Sequence, residues 1–81
     1  MEVKIEDFKT GWYGITVGLK DDQIDKIINA LKLLKKSKDH FHFRSNYVGE
    51  GGVGDIEFFW MENSSRDNME IDDSPAIEPN R

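Results

Sequence analysis

The chain predicts an α+β fold of order ββαββ, in which a four-stranded, largely antiparallel sheet carries one helix packed on one face. Three observations lead there. Four short segments alternate apolar and polar residues with the period of two of a half-buried strand, one central segment repeats apolar residues at spacings of three and four, and turn residues separate them. At 81 residues only one core is within reach, and a domain of that size is marginally stable. The domain is expected over residues 1–61.

The first strand is expected over Met1 to Phe8, with Val3 and Ile5 inward and Glu2, Lys4 and Glu6 outward, as suits an edge. Lys9-Thr10-Gly11 makes a short turn. The second strand, Trp12 to Leu19, turns Tyr13, Ile15, Val17 and Leu19 to the core and Trp12, Gly14, Thr16 and Gly18 away from it. Two glycines on one strand face predict a bulge or bend, with close approach of another group as the alternative.

Asp21 or Asp22 is expected to cap a helix that runs to about Lys38, because a short carboxylate accepts from the free amides at the positive end of the dipole. Ile24, Ile27, Ile28, Leu31 and Leu34 form its apolar stripe, opposite Asp22, Lys26, Asn29 and Lys36. Lysines 32, 35, 36 and 38 suit the negative dipole end, so they need no nucleic-acid role. Leu33 points away from the stripe. The third and fourth strands, about His40 to Tyr47 and Asp55 to Met61, form a hairpin with Phe41 and Phe43 packing on Ile56, Phe58 and Trp60. Placing Phe43 opposite Phe58 brings Arg44 opposite Glu57, His42 opposite Phe59 and His40 opposite Met61. The order in which the two hairpins join stays open.

From Glu62 onward periodicity ends, and Ser74-Pro75 and Glu78-Pro79 interrupt regular structure. Residues 62–81 are expected to be a disordered acidic tail in which Ile71, Ala76 and Ile77 could dock locally. The tail carries a net charge of -4 of the chain's -5. An acidic chain with no basic patch argues against nucleic-acid binding and favours a basic protein partner. No apolar run reaches the roughly 20 residues of a membrane span, and the first residues alternate charge with apolar side chains where a signal peptide has an apolar core. With no cysteine to form disulfides, a cytoplasmic location is expected.

Function is expected on the sheet face away from the helix. That face would present Glu2, Lys4, Glu6, Trp12, Thr16, His40, His42, Arg44, Asp55, Glu57, Phe59 and Met61, a mixture of aromatic, arginine and acidic side chains typical of protein interfaces. Trp12, His40, His42, Arg44, Asp55, Glu57 and Phe59 are the expected partner-binding residues. The alternative is a small metal-binding or acid–base enzyme using His40 and His42, which project the same way from one strand with Asp55 or Glu57 as a third ligand. Against it, no third histidine, cysteine or nucleophile motif accompanies the pair, and an Arg44 paired with Glu57 would compete for that carboxylate. No cofactor, metal or catalysis is therefore expected. The loop Gly49-Glu50-Gly51-Gly52-Val53-Gly54 joins two strands, so it lacks the following helix that a phosphate cradle needs.

Gly11-Trp12, the following strand, an Asp-started helix with Leu33-Leu34, His40-Phe41-His42 and Gly54-Asp55-Ile56-Glu57-Phe58 together resemble small immunity proteins found beside bacterial polymorphic toxins. The resemblance covers about residues 10 to 61. It implies a cytoplasmic antitoxin that binds and blocks a cognate toxin without catalysis of its own. Such families share no universal binding residues, so none is transferred, and a monomer and a homodimer both remain open.

Overall fold

Two hairpins flank one helix. The first joins β1 (Glu2–Asp7) to β2 (Tyr13–Gly18), antiparallel, with Val3 opposite Val17 and Ile5 opposite Ile15. Its ladder continues where the Phe8 amide donates to the Trp12 carbonyl at 3.1 Å. The turn closes with Lys9 and Gly11 at positive φ (61° and 94°), and the Lys9 amide donates to Asp7 Oδ1 at 2.8 Å. The pairing runs through Gly14 and Gly18 without interruption, so the expected bulge is absent. The glycines serve the other purpose at Gly14: a Cβ there would lie 2.7 Å from Cζ of Phe8, whose ring covers the bare backbone.

Helix α1 (Asp21–Ser37) starts one residue earlier than an aspartate cap requires. Lys20 is the N-cap residue, and its amide donates to Oε1 of Gln23, which reaches back from the first turn at 3.0 Å. With Gln23 in that role, Asp21 and Asp22 lie inside the first turn, where their charge still suits the dipole. At the other end Lys38 takes the left-handed conformation (φ 57°), and its amide donates to the Leu34 carbonyl at 2.8 Å.

The second hairpin pairs β3 (His40–Arg44) antiparallel with β4 (Asp55–Phe59). Its register lies two residues from the expected one: Phe41 opposes Phe58, Phe43 opposes Ile56, His40 opposes Phe59, His42 opposes Glu57 and Arg44 opposes Asp55. A slip of two keeps every side chain on its face, so the apolar pattern alone does not distinguish the alternatives. Ring packing favours the observed one, with Phe41 and Phe58 stacked at 5.2 Å and 18° and Phe43 meeting Phe58 edge-on at 5.2 Å.

The expected single sheet is not formed. β1–β2 and β3–β4 are separate two-stranded sheets, and the helix leans on β3. Each hairpin closes across a local loop, whereas joining them would require pairing strands separated by a 17-residue helix. The helix turns Gln23, Ile27, Ala30 and Leu34 toward its packing side, leaving the other flank of the apolar stripe, Ile24, Ile28 and Leu31, open. Leu33 is also exposed.

The structure, a computed structural model, describes residues 1–72. Residues 62–72 carry neither helix nor strand, Ile71 is 97% exposed, and Ala76 and Ile77 lie outside the described residues. No described residue is fully buried, so the expected core is a set of half-covered contacts. Val3, Phe43, Val53 and Ile56 line an open cleft of about 460 Å³ where the N-terminus, helix and second hairpin meet. No helix among the described residues is long and apolar enough to cross a membrane.

Candidate functional site

Alternation along β3 places His40, His42 and Arg44 on one face, and alternation along β4 adds Asp55, Glu57 and Phe59 to it. The ladder bonds from Ser45 to Gly54 and from Trp60 to Asp39 mark those pairs as the hydrogen-bonded kind. By strict alternation, His40–Phe59, His42–Glu57 and Arg44–Asp55 are then the non-hydrogen-bonded pairs, whose side chains approach most closely. Six of the seven residues expected to bind a partner are thus brought together on one small sheet. Trp12 is not among them. It is 76% exposed at the end of the first hairpin's turn, on the other sheet, as are Glu2, Lys4, Glu6 and Thr16.

The polar groups on this face are organised by carboxylates. His42 Nδ1 lies 2.9 and 3.1 Å from the two Asp55 oxygens, and His40 Nδ1 lies 2.7 Å from Asp39 Oδ1. A carboxylate accepts, so in each contact the ring donates through Nδ1–H, and Nε2 is the nitrogen that this hydrogen bond leaves uncommitted. The two imidazoles meet edge-on, 5.2 Å between centroids and 87° between planes. Arg44 also turns to Asp55, Nε to Oδ1 at 3.6 Å, where the sequence predicts Glu57 as its partner. The two-residue register difference accounts for this change, and Glu57 makes no hydrogen bond or ion pair with a described residue. His42 is the most sheltered of the group, with 22% of its side chain exposed.

A second feature escaped the sequence pattern. Ile5, Tyr13 and Ile15, expected in the core, are each more than half exposed on one side of the first hairpin. Alternation marked them as apolar-facing correctly, but it does not reveal whether another layer covers that face. The available signal was quantity: one helix has too little surface to cover two hairpins and its own full stripe.

The glycine loop makes a shallow pocket of about 220 Å³ lined by Ser45 and residues 47–54, with Glu50 as its charged member. A carboxylate with no cation beside it disfavours an anion there. Gly49 and Gly52 take positive φ (105° and 135°), and Tyr47 Cε1 would lie 3.1 Å from a Cβ on Gly54, so these glycines meet backbone demands. Comparison with protein-family models gives no match, and searches of curated proteins and of solved structures return no significant similarity.

Proposed function

We propose that this chain is a non-catalytic protein-binding module that neutralises a cognate bacterial toxin by covering it. The observation that carries the binding reading is the absence of any fully buried residue among those described, together with the exposed flank of Ile24, Ile28 and Leu31 and the open side of Ile5, Tyr13 and Ile15. Apolar surface left open at this scale is stabilised by association, which removes it from water. The toxin as partner rests on the resemblance carried by Gly11-Trp12, His40-Phe41-His42 and Gly54 to Phe58, and the net charge of -5 suits a basic one. The polar face of His40, His42, Arg44, Asp55, Glu57 and Phe59 would form a rim, and the apolar surfaces its centre.

The test begins with the reading frame immediately upstream of this one. Its product should arrest growth when expressed alone, and co-expression of this chain should restore growth and yield a complex that co-elutes on size exclusion. Ile28→Glu and Tyr13→Glu should each weaken that complex by at least about tenfold, with far-UV circular dichroism unchanged. Growth arrest that this chain does not relieve would overturn the toxin as partner. A homodimer in solution, with no second protein captured, would replace the partner with a second copy.

The paired histidines favour a second reading, metal binding, on an observation of their own.

A further inference from the structure

We infer that His40, His42 and Glu57 form a zinc-binding site on the outer face of the second hairpin. One ring nitrogen of each histidine and a carboxylate oxygen of Glu57 lie within 4.8 Å of one another. Ligands 2.0–2.1 Å from a tetrahedral zinc are spaced by about 3.3 Å, so closing the cluster takes small side-chain rotations on a sheet face where none of the three groups is fully buried. Three such ligands leave a fourth position for water.

Three features separate this cluster from polar side chains that merely share a face. Both histidines already have the outer partners that metal-bound imidazoles use: Asp39 accepts a hydrogen bond from Nδ1–H of His40 and Asp55 one from Nδ1–H of His42, an arrangement in which Nε2 is the nitrogen left to coordinate. The third ligand is available, because Arg44 is held by Asp55, not by Glu57. The balance of fixed charge also attracts a cation: Asp39, Asp55 and Glu57 outweigh Arg44, and the nearby Lys38 ammonium sits over the Trp60 ring at 5.4 Å. Two imidazoles select zinc over magnesium and calcium, which require oxygen ligands.

Asp39 and Asp55 are positioning residues, acting through the rings they orient. The inference stands apart from the toxin-binding proposal, since it needs no partner, and its test uses the full chain alone. Chelator-treated protein, with any affinity tag removed, is titrated with zinc chloride by calorimetry and by ¹H–¹⁵N NMR that includes the imidazole nitrogens. One zinc per chain is expected, with the largest shifts at the Nε2 atoms of His40 and His42 and at Glu57. His40→Gln and His42→Gln should each weaken binding at least about tenfold, and Asp55→Asn should weaken it by about 10- to 100-fold without removing a ligand. Cobalt should give the visible bands of a tetrahedral site, and His42→Gln should abolish them. Zinc that binds equally well to the double histidine variant, or that shifts the acidic tail and not the histidines, overturns the assignment. So does a wild-type chain with a dissociation constant weaker than about 1 mM.

Discussion

Replacing Gly14 with alanine should destabilise the first hairpin, although the same replacement ordinarily stabilises a strand. Gly14 has extended backbone, so alanine fits its conformation and should contribute about 0.4–1 kcal/mol by narrowing the unfolded ensemble. The opposing effect comes from Phe8, whose Cζ would lie 2.7 Å from the new methyl group. The ring must swing aside. Phe8 is 49% exposed, so about 100 Å² of it is covered, corresponding to about 2.5 kcal/mol at most. Residual compactness of the unfolded chain reduces that to about 2 kcal/mol, and a displaced ring retains part of its cover. A net loss of about 0.5–1 kcal/mol follows for Gly14→Ala. In a Phe8→Ala background only the entropic gain remains, and Gly14→Ala should stabilise by about 0.5 kcal/mol. Urea denaturation of the four-member cycle, with amide exchange at Ile5 and Ile15 to localise the effect, measures both signs. The same sign in both backgrounds would refute the role given to the ring.

Phe58→Ala removes two ring contacts and the covered part of a side chain that is 40% exposed. It should cost about 2–4 kcal/mol, read by urea denaturation, and a loss below about 1 kcal/mol would show that the rings do not hold the hairpin. The register is testable in a chain with no native cysteine. His42→Cys combined with Glu57→Cys should oxidise to a disulfide, whereas Arg44→Cys with Glu57→Cys, a diagonal pair, should stay reduced; the reverse outcome would restore the alternative register. Leu33→Lys should change stability by less than about 0.5 kcal/mol, because this side chain is 63% exposed and faces away from the packing line. A larger loss would place Leu33 in a contact.

Periodicity located the elements because it is a local property. The helix ends at Ser37 against an expected Lys38, and the strand cores fall within the expected segments. What was not legible depends on partners distant in sequence. The apolar pattern of β3 and β4 fits two registers equally well, and only the three phenylalanine rings and Ile56, packed in three dimensions, choose between them. Whether two hairpins merge depends on strand edges, which period-two alternation does not describe. Burial was overestimated at Ile5, Tyr13 and Ile15 for the same reason: a face can be apolar without being covered. At the candidate site the sequence put both histidines, Arg44, Asp55, Glu57 and Phe59 on one surface, while the sorting of carboxylates between Arg44 and the imidazoles required the register. Gln23 as the capping residue was legible in principle, since a glutamine three residues after the N-cap can reach back to it.

The loop between β3 and β4 is long and rich in glycine, so the turn does little to dictate how the two strands align. Alignment is left to the side chains, to the inner rings and to whatever the outer face holds. In one alignment Glu57 stands beside His42; in the other it stands beside Arg44, and the histidines lose their carboxylate neighbour across the strands. Anything that grips His40, His42 and Glu57 together recognises only the first alignment and adds its binding free energy to that state alone. For this hairpin, occupancy of the outer face and choice of strand alignment become a single equilibrium.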